Sequence, residues 1–328
     1  MAKRVARIVV VTRKTPLELL LERHGTLGQA KFYLSTRQQS IEPLERIHAG
    51  VTNGLNTVLR ALPSDQKYAR VDRDELDRFL FAPDDVVMMV GQDGLVPNVA
   101  KYLDGQLAIG INPDPATYDG VLCRFPPDAT RTLLDFAASG EGSFAIRPRT
   151  MAEALREDGQ RLLALNEIYL GHQTHQSSRY RLTLNGQTER HSSSGMICAT
   201  GTGATGWARS IAEQRGITEP MPDPTAPQLA WFVREPFPSV ATGTSMNFGF
   251  VQAGQALEVV SEMGEGGTLF ADGIESDRVE FSAGQSVRIG VAPRTLRLVV
   301  PQQQAQAAST GTVSAATNTT MMGTQTTK

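Results

Sequence analysis

The sequence Asp85-Val-Val-Met-Met-Val-Gly-Gln-Asp-Gly-Leu95 decides the fold class of this chain. Its first six residues are almost all apolar, as expected for a strand that is covered on both faces of a sheet. A glycine turn centred on Asp93 follows, and a short helix is predicted over Val96–Leu103. Because ligands of open parallel sheets bind at the carboxyl ends of strands, this turn is a candidate site.

Strand and helix patterns alternate on both sides of this stretch. In the helix predicted over Ile41–Leu62, apolar residues recur every three or four positions. The other predicted elements are a helix over Thr15–Arg23 and strands over Val5–Val11, Lys67–Val71 and Leu107–Asn112. This alternation predicts an α/β domain with a parallel sheet over residues 1–143.

The pattern after residue 143 is different, because short strands separated by Gly, Asn, Asp and Pro turns predominate. One helix is predicted near Thr205–Gln214. The predicted strands are Arg161–Gly171, Ser178–Leu184, Gly195–Thr200, Gln228–Val233, Ala256–Met263, Arg278–Phe281, Ser286–Val291 and Thr295–Val300. Residues 144–301 are therefore predicted to form a β-rich domain. Residues 302–328 are mainly Gln, Ala, Ser, Thr and Gly, and we expect them to be a disordered tail.

Composition excludes several classes of protein. The net charge of -2 provides no broad basic surface for nucleic acid or an anionic membrane. No segment approaches the roughly 20 apolar residues that a membrane span needs. The two cysteines, Cys123 and Cys198, imply neither a disulfide framework nor a cysteine zinc site, and they fit a reducing cytoplasm.

The Asp93 turn has residue types that suit phosphate chemistry. Gly91 and Gly94 would let backbone N–H groups approach phosphates, and Asp93 could hold Mg²⁺ or accept a hydroxyl proton. An ordinary turn explains the same four residues, because Asp-Gly is common in turns. The P-loop pattern is absent from the chain.

Two other polar groups stand out. Asn166 and Glu167 are predicted to face opposite sides of a strand, so one of them should be buried with a ligand or a structural hydrogen bond. The pair His172 and His175 could suggest a metal, but no further ligand completes a set. We expect these two histidines in a hairpin loop and His191 at the surface.

The stretch Gly201-Thr-Gly-Ala-Thr-Gly206 matches the G-x-G-x-x-G pattern of dinucleotide-binding turns. That turn normally ends the first strand of a βαβ unit, and an acidic residue follows about 20 positions later. Here the corresponding segment is Glu219-Pro-Met-Pro-Asp-Pro224, which cannot end a core strand. The glycines are therefore predicted to lie against a ligand or a neighbouring backbone outside a Rossmann dehydrogenase.

Taken in order, these motifs resemble those of the NAD kinase family, and most closely its mitochondrial-type branch. The family has a G-G-D-G-T turn, an N-E or N-D pair, a glycine-rich block that ends in T-G-S-T-A-Y, and a late D-G. The matching segments here are Gly91–Leu95, Asn166-Glu167, Thr200–Trp207 and Asp272-Gly273. The resemblance covers about Val5 to Val300 and implies the NAD kinase/diacylglycerol kinase-like fold.

The resemblance also implies roles for individual residues. Asp93 would be the catalytic base that activates the 2′-hydroxyl of the NAD adenosine ribose for attack on the γ-phosphate of ATP. Gly91 and Gly94 would border the triphosphate, which Mg²⁺ neutralises. The residues implied to bind NAD are Asn166, Glu167, Thr202, Thr205, Gly206 and Ser210. The family resemblance implies a homodimer or higher homo-oligomer with NAD and ATP as partners, and the cysteine usage predicts a cytoplasmic location.

The chain departs from the family pattern at Gln92, Leu95, Ser194 and Trp207. Gln92 replaces a glycine, which would be costly if that position required a positive φ, and Leu95 replaces a threonine hydroxyl. Two alternatives stay open: a kinase of the same fold with a lipid or sugar-like acceptor, and a non-catalytic NAD(H)-binding regulator. The choices between ATP and polyphosphate, and between NAD and NADH, also stay open.

Overall fold

Residues 5–302 are described by the computed structural model, and they form six helices and sixteen strands in two sheets. The helices are Pro16–His24 (α1), Leu27–Ser35 (α2), Glu42–Ala61 (α3), Leu95–Ala100 (α4), Thr130–Ser139 (α5) and Trp207–Arg215 (α6). The strands are Arg7–Thr12 (β1), Tyr68–Asp72 (β2), Asp85–Val90 (β3), Leu107–Ile111 (β4), Phe144–Arg156 (β5), Arg161–Ala164 (β6), Glu167–His172 (β7), Ser178–Leu184 (β8), Gln187–Ser193 (β9), Met196–Ala199 (β10), Gln228–Val233 (β11), Phe248–Gln252 (β12), Ala256–Ser261 (β13), Gly267–Ala271 (β14), Val279–Glu280 (β15) and Ser286–Pro301 (β16).

The first sheet begins with a parallel section in the order β2-β1-β3-β4-β16. Every residue of β3 is buried, because helices and loops cover both faces of the sheet. Helix α1 begins where the sequence predicts, since Thr15 caps it through a reciprocal capping box with Glu18. The predicted parallel α/β section is confirmed.

The remaining strands of the first sheet are antiparallel, and they face a separate antiparallel sheet in the order β12-β11-β10-β7-β14-β15. The two sheets pack through buried side chains such as Ile168 and Leu170 on one side and Leu182 and Val259 on the other. The predicted β-rich second half is confirmed. The division between residues 143 and 144 stays a prediction, because strands on both sides of it share the first sheet.

Strand β16 differs from the sequence prediction. The two predicted strands Ser286–Val291 and Thr295–Val300 are one strand with a register shift between Val291 and Thr295. It pairs with β5, a strand that the sequence did not predict, along almost its whole length. Its last residues also pair in parallel with β4, so β16 joins the parallel and antiparallel sections of the sheet.

Two further expectations concern His191 and the C-terminal tail. The prediction that His191 lies at the surface is wrong, because this residue is fully buried and stacks on Tyr180 with ring centroids 5.4 Å apart. The disordered tail predicted for residues 302–328 lies, apart from Gln302, outside the described residues. Within residues 5–302, no helix has the length and apolarity that crossing a bilayer requires.

Candidate active site

Asp93 follows β3 and is held by three consecutive backbone N–H groups. Its Oδ2 accepts from Val121 N at 2.7 Å, and its Oδ1 accepts from Leu122 N at 2.7 Å and Cys123 N at 2.8 Å. An ionised carboxylate has about four acceptor directions, so one direction on Oδ2 is left for another donor. The geometry therefore fixes Asp93 as an oriented hydrogen-bond acceptor.

The segment that holds Asp93, residues 121–123, belongs to the loop that follows β4. Asn112 stabilises the start of this loop, because its amide donates to Tyr118 O at 2.6 Å and its side-chain oxygen accepts from Asp114 N at 3.1 Å. Phe125 then forms a parallel bridge with Ile111. This loop thus places residues 121–123 at the carboxyl end of the parallel strands, where ligands of such sheets bind.

Two residues beside Asp93, Gln92 and Leu95, depart from the family pattern, and the structure shows how the fold accommodates each of them. Gln92 is exposed and is not among the non-glycine residues with positive φ in the described chain, so no left-handed strain arises there. Leu95 is fully buried in the core. Its Cδ2 would lie 3.0 Å from a Cβ built on Gly91. A Cβ built on Gly94 would meet nothing within 4 Å, so the backbone at Gly94 faces open space.

A second aspartate organises the Asn166-Glu167 corner. Asp272 Oδ1 accepts from Asn166 N at 2.6 Å and Glu167 N at 3.3 Å, while its Oδ2 accepts from Leu165 N at 3.0 Å. These bonds interrupt the predicted strand Arg161–Gly171, which is wrong as a single element. Asn166 lies in the break between β6 and β7, and Glu167 begins β7.

The glycine-rich stretch packs directly on this corner. Thr200 Oγ1 donates to Leu165 O at 2.5 Å and accepts from Thr202 N at 3.1 Å and Gly203 N at 3.2 Å. A Cβ on Gly203 would lie 2.1 Å from Asn166 O, and one on Gly201 would lie 2.2 Å from Asp223 O. Of the two predicted alternatives, a ligand or a neighbouring backbone, the structure shows a neighbouring backbone at Gly201 and Gly203, whereas a Cβ on Gly206 would meet only Gly203 O at 3.7 Å.

The other predicted residues of this stretch differ in exposure. Thr202 is buried, and its Oγ1 has no hydrogen-bond partner among the described residues. Thr205, Gly206 and Ser210 are exposed along the start of α6. Thr205 Oγ1 donates back to Thr202 O at 3.0 Å, which ties this exposed turn to the buried part of the segment.

One hydrophobic core supports both parts of the candidate site. It contains Leu122 and Cys123 from the segment that holds Asp93, and Leu163 and Leu165 from the strand end before Asn166. Leu95, Val96 and Val99 of α4 belong to the same core. The structure therefore packs the glycine-rich stretch directly on Asn166, and residues next to Asn166 share one core with the segment that holds Asp93.

Glu167 and Asp272 form a half-buried acidic pair. Burial and the charge of Asp272 raise the pKa of Glu167 to about 7. Burial also raises the pKa of Asp272 to about 6, although the three N–H groups that it accepts act to lower it. Raised carboxyl pKa values are common at functional sites, because a buried acid can exchange protons or hydrogen bonds near neutral pH.

We expect Glu167→Gln to raise the free energy of unfolding at pH 8 by about 2–3 kcal/mol. In the folded chain the pKa of Glu167 is about 7, whereas its ordinary pKa is 4.5. The wild type therefore loses stability as the pH rises from 4.5 to about 7. The gain should shrink as pH falls towards 4.5. Urea unfolding between pH 4.5 and 8 measures it, with the exposed Glu265→Gln as control. A gain independent of pH would contradict the titration of Glu167.

Asp272 belongs to the late D-G motif, but the sequence alone assigned no role to it. Its φ of 53° is unusual for a residue with a side chain, and Gly273 follows with φ 71°. The Asp-Gly pair after an apolar run is the same signal that marks Asp93-Gly94, and it could have identified Asp272. Thr200 was also missed, since a buried threonine that organises a turn has no distinctive pattern.

Of the two histidines predicted in a hairpin loop, His175 lies in the turn between β7 and β8, whereas His172 is the last residue of β7. His172 Nδ1 lies 2.9 Å from Thr174 Oγ1, a contact between this strand end and the turn. Among residues 5–302, no group of three or more His, Cys, Asp or Glu side chains is placed to share a metal ion.

Comparison with known proteins connects this arrangement to one family. No protein-family model matches the chain. A curated NAD kinase from Chlorobaculum tepidum is 27% identical over 129 residues, which span 38% of this chain and 44% of that protein. The matched region is therefore less than half the length of that relative.

Two solved structures share the fold. A NAD kinase from Archaeoglobus fulgidus in complex with ATP has a TM-score of 0.55 and 19% identity, covering 93% of this chain and 96% of that chain. Yeast NADH kinase complexed with NADH has a TM-score of 0.59 and 12% identity, covering 96% of this chain and 91% of that chain. The chain thus has the fold of these kinases over nearly its whole described length, and its resemblance to the NAD kinase family is confirmed.

Proposed function

We propose that this protein is an ATP-dependent NAD kinase. It would transfer the γ-phosphate of ATP to the 2′-hydroxyl of the NAD adenosine ribose and release NADP and ADP. The observation that carries the proposal is the pairing, on one core, of an oriented carboxylate at Asp93 with the corner formed by Asn166, Glu167 and Thr202. Phosphoryl transfer depends mainly on positioning and charge neutralisation, which such an arrangement can supply.

Asp93 is proposed as the general base. Its one remaining acceptor direction would take the hydrogen bond of the ribose 2′-hydroxyl, and Oδ2 would receive the proton as the oxygen attacks phosphorus. The three N–H groups would keep the carboxylate in place during this step. A positioned base of this kind contributes about 10²- to 10⁴-fold to a rate.

Asn166, Glu167 and Thr202 are proposed to bind NAD. Near neutral pH, Glu167 exists in both protonation states, so it can donate to or accept from a ribose hydroxyl. The unpartnered Oγ1 of Thr202 is a further group that a bound ligand would satisfy. Thr205, Gly206 and Ser210 would form the exposed wall along the same ligand.

Gly91 and Gly94 are proposed to border the triphosphate of ATP. The open space at Gly94 supports this proposal, because phosphate oxygens can approach the backbone there. Mg²⁺ would enter bound to ATP and neutralise the charge of its phosphates. We further propose a cytoplasmic homodimer or higher homo-oligomer of the mitochondrial-type branch.

The decisive experiment incubates the purified full-length protein with Mg²⁺, ATP and NAD and measures NADP with an NADP-specific dehydrogenase. Parallel reactions replace ATP with polyphosphate and NAD with NADH, which determines the donor and the acceptor. The expected result is ATP-dependent formation of NADP. Absence of NADP and NADPH with every donor would overturn the proposed function.

A further inference from the structure

Three arginines lie in β5 and in the loop after β4: Arg147 and Arg149 are in β5, and Arg124 is in the loop. Arg147 and Arg149 alternate along β5 onto the face that also bears Met151. In the pairing with β16 they lie opposite Leu298 and Leu296. Met151 and these two leucines belong to the hydrophobic core that contains Leu122 and Cys123, so both arginines lie on the side of the sheet that supports Asp93.

Arg124 connects this group to the segment that holds Asp93. It follows Cys123 directly, and its Nε donates to Val121 O at 2.5 Å. The N–H groups of Val121 and Cys123 hold the carboxylate of Asp93. The Arg124 guanidinium is therefore fixed beside the backbone that orients the proposed base.

Arg149 has a buried donor that is not used. Its Nε is buried and has no hydrogen-bond partner among residues 5–302. Burial first, and then the charges of Arg124 and Arg147, lower the pKa of Arg149, although the charge of Asp223 acts in the opposite direction.

The nearby acid, Asp223, interacts electrostatically with Arg149, and its Oδ1 accepts hydrogen bonds from another residue. Asp223 Oδ1 accepts from Thr225 N at 2.8 Å and from Thr225 Oγ1 at 2.7 Å. The backbone carbonyl of Asp223 packs against Gly201. The charge of Arg149 thus interacts with that of Arg124, which is bonded to the segment that holds Asp93, and with that of Asp223, whose carbonyl packs on the glycine-rich stretch.

We propose that Arg149, flanked by Arg124 and Arg147, binds phosphate oxygens beside Asp93. This inference rests on the proposed function for the identity of the reaction, but phosphate binding itself does not. A guanidinium group matches phosphate through two parallel N–H donors, and the unpartnered Nε is one of these donors. The phosphate is either the terminal group of ATP or the 2′-phosphate of NADP.

Binding of inorganic tripolyphosphate to the whole protein by calorimetry tests the site without requiring turnover. Arg149→Gln is expected to raise the tripolyphosphate Kd by about tenfold or more, whereas Arg149→Lys should give an intermediate loss. The exposed Arg179→Gln serves as the matched control and should bind as the wild type does. Equal affinity in Arg149→Gln and the wild type would overturn the site.

Kinetics separate the two phosphate sources. A rise in the KM for ATP with an unchanged KM for NAD assigns Arg149 to the donor, and weaker product inhibition by NADP assigns it to the 2′-phosphate. An equal rise in both KM values, without loss of tripolyphosphate binding, would contradict the site. Should Arg149→Gln fail to fold, Arg124→Gln provides the same measurements from a neighbouring, half-exposed position.

The outcomes also distinguish this inference from the proposed function. If the protein makes no NADP but needs Arg149 to bind tripolyphosphate, the phosphate site stands and the NAD kinase proposal fails. If NADP forms with an unchanged KM for ATP and unchanged inhibition by NADP in Arg149→Gln, only the phosphate site fails.

Discussion

Asp93→Asn is expected to lower kcat by about 10³-fold or more and to change the Kd for NAD by less than about threefold. Asparagine keeps the size of the side chain but cannot accept the proton of the ribose hydroxyl. Stopped assays of NADP formation measure kcat, and calorimetry measures NAD binding.

The three N–H groups around Asp93 require a structural control, because an asparagine amide would point one N–H donor towards them. Asp72→Asn is a suitable control, since Asp72 also caps a backbone N–H, that of Asp74, at 3.0 Å. Both variants should be compared by thermal unfolding. A folded Asp93→Asn protein that retains a tenth of the wild-type kcat would exclude Asp93 as the base.

Gly203→Ala is expected to lower the free energy of unfolding by at least about 3 kcal/mol and to abolish detectable NAD binding. The added methyl group would lie 2.1 Å from Asn166 O and also too close to the Asn166 Cα. Backbone atoms cannot move away as a side chain can, so the two segments must separate. Denaturant unfolding and NAD calorimetry measure the two effects.

Gly28→Ala provides the control for this substitution. Gly28 lies in α2, and a Cβ there would meet nothing within 4 Å, so alanine should be neutral or slightly stabilising. If Gly203→Ala unfolds and binds NAD like the wild type, the close packing of the glycine-rich stretch on Asn166 is not a requirement of the site.

The elements that the sequence predicted well are those whose limits are set locally. Strand β3 is bounded by its own apolar run and by Gly91, and α1 begins at a capping box between Thr15 and Glu18. In both cases the residues that determine the structure lie within a few positions of each other. Patterns of this kind can be recognised without knowing the rest of the fold.

The break at Asn166 could not be predicted, because its cause is distant in the chain. The run Leu162–Leu170 is apolar on both sides of the pair, which is typical of one continuous strand. Asp272, 106 residues after Asn166, takes the N–H groups of residues 165–167 out of the strand pairing. Strand β5 was missed for a related reason, since Pro148 and several arginines conceal a strand that exists because β16 pairs with it.

The position of β16 also affects how the protein is synthesised. This strand is encoded at the end of the described chain, yet its residues Arg297 and Leu298 complete the parallel sheet beside β4. A nascent chain that has emerged only to residue 285 therefore presents the edge of β4 without this neighbour, a surface that favours pairing between chains. The parallel section of the sheet is therefore complete only once the 16 residues of β16 have been synthesised, and only then can Leu296 and Leu298 pack in the core with Leu122 and Cys123 of the Asp93 loop.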